Sequence, residues 1–101
     1  MIKIFKLHQV AEKNHHFPVG YNVVGSITIK SERKDEDDLE TVKEMMSKTS
    51  DGKPWYSRPT AYIVHTKARS IKTNDVLEKD GKFFLLQKDG GFAQVSGMNT
   101  D

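Results

Sequence analysis

Hydrophobic and polar positions alternate with a two-residue period at the start of this chain. Ile2, Ile4, Lys6 and His8 form one set and Lys3, Phe5, Leu7 and Gln9 the other, with apolar residues in both. That period is a strand's, and apolar residues on both faces suit a central strand or one covered by a helix. Asn14, Pro18 and Gly20 then mark residues 11–20 as a loop. A second strand is expected over Tyr21 to Lys30, where Val23, Ile27 and Ile29 alternate with Ser26 and Thr28. Gly25 inside it predicts a bulge or a close approach of another backbone.

The rhythm changes between Asp35 and Lys48. Leu39, Val42, Met45 and Met46 recur at helical spacing, with Glu40, Lys43, Glu44 and Ser47 on the other face. One amphipathic helix (about residues 36–48) follows. Asp37 and Glu40 have the spacing of a capping box, acids crowd the first turn, and Glu44 and Lys48 are placed for an i,i+4 pair. Ser50-Asp51-Gly52 signals a turn, and Pro54 and Pro59 forbid a central strand between 49 and 59. Alternation returns over Thr60 to Lys67, which predicts a third strand. Beyond it, three apolar runs near 75–78, 82–87 and 92–95 are separated by the turn pairs Asp80-Gly81 and Gly90-Gly91, an antiparallel meander. Residues 96–101 are expected to fray.

These elements predict a single α+β domain over 1–101: a mainly antiparallel, strongly curved, barrel-like sheet of about six strands with one helix packed across it. The helix is expected to lay Leu39, Val42, Met45 and Met46 on Ile4, Val23, Ile27, Tyr62, Val64, Phe84 and Leu86.

Composition narrows the chemistry. A chain of 101 residues has room for one core. With no cysteine, disulfides and thiolate metal ligands are excluded. Lysines interrupt every short apolar run near the N-terminus, so neither a signal-peptide core nor a membrane span is expected and the cytoplasm is the expected compartment. The net charge of +2 selects no partner, but its distribution is uneven. Asp35 to Asp51 carries seven acids and two lysines, whereas Lys53 to Lys72 carries five bases and no acid.

No catalytic device is legible: there is no nucleophile elbow, phosphate loop or zinc-protease helix. His8, His15, His16 and His65 lack i,i+4 spacing, and the run Asp35-Glu36-Asp37-Asp38 fails the calcium-loop pattern at its sixth and twelfth positions, Glu40 and Met46. Neither a metal nor a cofactor is expected. The best candidate surface is the basic–aromatic stretch Lys53, Trp55, Tyr56, Arg58, Lys67, Arg69 and Lys72. Tryptophan, tyrosine and arginine are typical hot-spot residues of protein interfaces, and rings interleaved with cations also suit single-stranded nucleic acid. The same Trp55 and Tyr56 could instead fold back to cap one end of the core.

One segment carries a resemblance. Ser70-Ile71-Lys72-Thr73-Asn74-Asp75-Val76, then Asp80-Gly81, then Gly91-Phe92, resembles small phage and plasmid accessory proteins grouped as YodL-like or KfrB-like, which run Arg-Ser, a hydrophobic residue, a spacer, Gly-Asp-Val, Asp-Gly and a closing Gly-Phe. Here Asn74 stands in the glycine's place, and asparagine is the residue after glycine that best tolerates a positive φ. The resemblance covers the last third of the chain. It implies a mobile-element origin and a compact β-rich fold, and carries over no catalytic residue. The functional expectation is a small accessory protein, monomeric or weakly dimeric, that is not an enzyme. It would bind a host protein and inhibit a defence or transcription component; the alternative is a nucleic-acid-binding module using 53–72.

Overall fold

The computed structural model describes residues 1–10, 17, 19–64 and 68–95. Six antiparallel strands form one sheet in the order β3-β2-β1-β4-β5-β6, with β1 at Ile2–Val10, β2 at Tyr21–Lys30, β3 at Ala61–Ile63, β4 at Val76–Lys79, β5 at Lys82–Leu86 and β6 at Phe92–Val95. One helix, α1 (Asp35–Met45), and a short 3-10 turn at Trp55–Ser57 complete it. The α+β expectation therefore holds. The barrel-like expectation does not, because the sheet ends openly at β3 and β6. The expected frayed tail lies outside the described residues.

Turn chemistry builds the meander as the sequence implied. Asp80 and Gly81, both at positive φ, close the β4–β5 hairpin between the paired Lys79 and Lys82, the backbone twist that a two-residue hairpin needs. Asn74 sits at φ 77°, the conformation its place in the motif called for.

The main core lies on one face; on the other, Val76 is buried beside His8. From β1 the main core takes Phe5 and Leu7, from β2 Val24 and Ile27, from the helix Leu39 and Val42, and beyond it Met46, Trp55, Ile71, Leu77, Phe84 and Leu86. Ile4, Tyr62 and Val64, expected there, are exposed instead, and Val23 is only half-buried. Two physical reasons account for the difference. First, the parity of β1 that turns inward is the one carrying Lys3 and Gln9, because each finds a buried carboxylate partner. Second, the β1–β2 register skips Val24: Leu7 pairs with Gly25 and His8 with Val23. This bulge inserts one residue, so Val24 and Ile27 both point inward although three apart.

The helix is shorter than its apolar pattern. It has no side-chain cap, its N-cap is Lys34, and Met46 ends it as the C-cap. Asp37 therefore lies inside the first turn and does not cap. The ion pair along the helix is Glu40–Lys43 at 2.8 Å in place of the expected Glu44–Lys48.

Candidate functional site

The basic–aromatic stretch divides into internal and surface residues. Trp55 is 0% exposed. Its indole N–H donates to the Arg69 carbonyl at 2.9 Å, and its ring fills the space left by Gly25, where an added Cβ would stand 2.8 Å from the ring edge and 2.5 Å from the Tyr62 carbonyl. A large ring with one polar atom is best buried where that atom finds an acceptor. Tyr56 meets Trp55 edge-on, with centroids 5.7 Å apart, and is half-buried. Arg58 donates from Nε to the Met45 carbonyl at 2.9 Å, closing the C-terminal end of α1. Placing Trp55 in a recognition surface is thus corrected: it is core, and the capping alternative describes the pair.

Arg69 is also committed internally. Its guanidinium grips buried Asp75 with two bonds, 2.8 Å from Nη1 to Oδ2 and 3.0 Å from Nη2 to Oδ1. Gln9 Nε2 donates to Asp75 at 3.0 Å, and the Lys72 amide does so at 3.0 Å. Gln9 also accepts from the Arg69 N–H at 3.1 Å. This clamp ties β1 to the turn that leads into β4, so the Arg-Ser and Asn-Asp-Val parts of the motif serve the fold. Lys53 and Lys72 remain as exposed cations, Lys53 beside Asp51 at 3.6 Å. Lys67 lies outside the described residues, as do His15, His16 and His65.

A second buried network anchors the start of α1. Lys3 Nζ donates to Asp38 at 2.7 Å and pairs with Asp35 at 3.0 Å. Asp38 also accepts from Ser31 Oγ at 2.8 Å and meets Arg33 at 3.1 Å. Lys79 reaches Asp35 at 3.6 Å. The bond to Asp38 holds the Lys3 pKa above the usual lysine value, against its desolvation. Burial pushes the Asp38 carboxyl up, but its bonds from Lys3 and Ser31 outweigh it and leave the pKa lowered. Asp35 is lowered first by its bond from Lys3. With partners this complete, the network is structural: every buried side-chain polar atom among the described residues has a partner.

What remains open is the sheet's other face. Ile2, Ile4, Lys6 and His8 of β1 lie there, beside Lys30, Thr28 and Ser26 of β2 and Tyr62 of β3. At its β4–β5 end a small aromatic group covers it. Phe17 lies between His8, Tyr21 and Phe83, with centroids 5.0–5.4 Å away, and His8 Nε2 sits 2.8 Å from Glu78. Toward β3 nothing among the described residues covers it. Ile2 is 64% exposed, Ile4 52%, Tyr62 68% and, just beyond β3, Val64 63%. Ser26 and Thr28 floor a trough about 10 Å wide, two strand spacings, between Ile4 and Tyr62. Lys6 and Lys30 are its exposed cations.

The alternation along the chain places Ile4, Tyr62 and Val64 in the core, and the structure does not. The signal that could have redirected them was the small hydroxyl pair Ser26 and Thr28 between them.

No family model matches the chain, and no curated protein or solved structure matches it. Among the described residues no cluster of acids and histidines is arranged to hold a metal ion, and no helix is long and apolar enough to cross a membrane.

Proposed function

We propose that the chain is a non-enzymatic accessory protein that binds another protein through the uncovered face of its sheet. The observation that carries this reading is the exposure of Ile2, Ile4 and Tyr62 together on one face, with Val64 at its margin. Scattered apolar residues on a surface need no explanation, but a group flanking one trough marks an interaction site. The flanking lysines favour a partner whose patch is apolar with an acidic rim. Under the phage and plasmid resemblance, that partner is a protein of the host cell and the outcome is inhibition of a defence or transcription component.

The nucleic-acid alternative drew on the 53–72 stretch. With Trp55 buried and Arg69 held by Asp75, that stretch lacks its main stacking ring and one of its cations.

The test compares the native chain with the double substitution Ile4→Ser, Tyr62→Ser in capture from nuclease-treated host lysate. The captured protein is then purified and titrated. Loss of about 2 kcal/mol or more in the double variant, with weak dependence on salt, is expected of an apolar hot spot. Binding that vanishes with nuclease, or falls steeply with salt, would assign the surface to nucleic acid instead. Undiminished binding by the double variant removes the face from consideration.

A further inference from the structure

β3 is shorter than the strand it pairs with. It meets β2 at Gly25, Ser26 and Ile27; a bond from the Val64 N–H to the Val24 carbonyl at 2.9 Å extends the contact at one end, and a bond from the Thr28 N–H to the Thr60 carbonyl at 3.0 Å ends it at the other. β2 runs on to Lys30. Along a strand the hydrogen-bonding groups of alternate residues face opposite neighbours. Thr28 donates away from β1, and Ser31 donates toward it, to the Met1 carbonyl at 2.9 Å. Lys30 shares the parity of Thr28, so its N–H and C=O face the side where β3 has already ended.

That side is a hollow of about 530 Å3 between the free half of β2 and α1. Ile29 and Met45, both only partly buried against the core, supply its apolar wall, and Thr41 and Arg33 its polar end. Two acids border it, and both are engaged: Asp38 by Lys3, Ser31 and Arg33, and Glu32 by the N-terminal amine. Lys30 makes no ion pair among the described residues, and Arg33 stands half-exposed at the rim. The charge left unbalanced is positive.

We propose that this hollow accepts an extended segment of another protein, with alternating apolar and acidic residues, which joins the sheet as a strand beside Thr28–Lys30. The alternation follows from the pleat. A residue lying opposite Ile29 points to the helix side, onto Ile29 and Met45, and its neighbours point to the face that carries Lys30. Backbone bonds to Lys30 supply the docking, and the cations select the acidic partner over a basic one. This second surface adjoins the trough of the preceding reading and shares Thr28 and Lys30 with it, but its edge bonds and its Ile29–Met45 wall are its own, and it does not require that reading to hold.

The probe is the peptide acetyl-EVEVEV-amide, titrated into the isotope-labelled full chain and followed by amide and methyl NMR shifts. Saturable shifts are expected at Thr28, Ile29, Lys30 and the Met45 methyl. Methylating alternate peptide nitrogens on the bonding edge should weaken binding about tenfold, the loss of one good hydrogen bond. Lys30→Glu should weaken it about fivefold, and KVKVKV should bind less well than EVEVEV. The Ile4→Ser, Tyr62→Ser variant should bind the peptide as the native chain does, which separates failure here from failure of the trough. Absence of saturable shifts, shifts centred on Ile4 and Tyr62, or equal binding by the N-methylated peptide would each overturn the proposal.

Discussion

Gly25 determines where the largest side chain of the molecule sits. Because no Cβ projects from it, Trp55 closes against β2 and its indole reaches the Arg69 carbonyl. Gly25→Ala is therefore expected to destabilise the fold by about 1–3 kcal/mol, since the nearest obstruction is the Tyr62 backbone and cannot swing aside. Urea unfolding of the single variant measures it. Trp55→Ala should cost more, about 3–5 kcal/mol, where a surface tryptophan would cost little. At this scale the chain was partly legible. A glycine inside an alternating strand announced the close approach, and Asn74 announced its positive φ. The inward turn of Lys3 and Gln9 was not legible, because their carboxylate partners lie 35 and 66 residues away. A lysine in an alternating strand ordinarily faces water, and nothing local overrides that expectation.

Among the elements, the helix depends most on charge. Its first turn has no side-chain cap and is held by Lys3, Lys79, Ser31 and Arg33 acting on Asp35 and Asp38. Both carboxyls have folded pKa values below the usual 3.8. Their contribution is thus complete above the unfolded value and is lost as pH falls through the folded one. The thermal midpoint should hold from neutral pH to about 5 and drop below about 4. Asp38→Asn should lower the neutral-pH midpoint and flatten that acid limb, and differential scanning calorimetry across the range checks both. Strand positions were legible to within a residue or two wherever turns punctuated them, as in the meander and the first two strands. The helix C-terminus was not. Met46 is buried and continues the apolar spacing, but it packs as the residue that ends the helix, with Arg58 closing the turn before it.

Across the whole molecule, one sheet divides the side chains into a packed face and an open one, and the candidate site belongs to the second. That division was the least legible feature, because choosing a face requires knowing which distant groups satisfy Lys3 and Gln9 and that the ladder skips Val24. The cysteine-free, turn-rich chain revealed the fold class, whereas the exposed trough exists only where β1, β2 and β3 lie side by side. The Arg69–Asp75–Gln9 clamp ties β1 to the turn before β4, the two central neighbours of the sheet, and Asp75→Ala should destabilise the chain by about 3 kcal/mol or more by leaving a guanidinium and two amide donors without their acceptor. Denaturant midpoints for Asp75→Ala and Lys53→Ala side by side check this, the exposed Lys53 being expected within about 0.5 kcal/mol of native.

The position of β1 in the middle of the sheet also has a consequence for the nascent chain. Its second neighbour, β4, begins at Val76, long after β2 ends at Lys30. At roughly 5–20 residues per second of synthesis, the edge of the first hairpin that β4 will occupy stays unpaired for roughly 2–9 s. During that interval Lys6, Leu7 and His8, which later pair with β4, hold their backbone groups open to any passing strand.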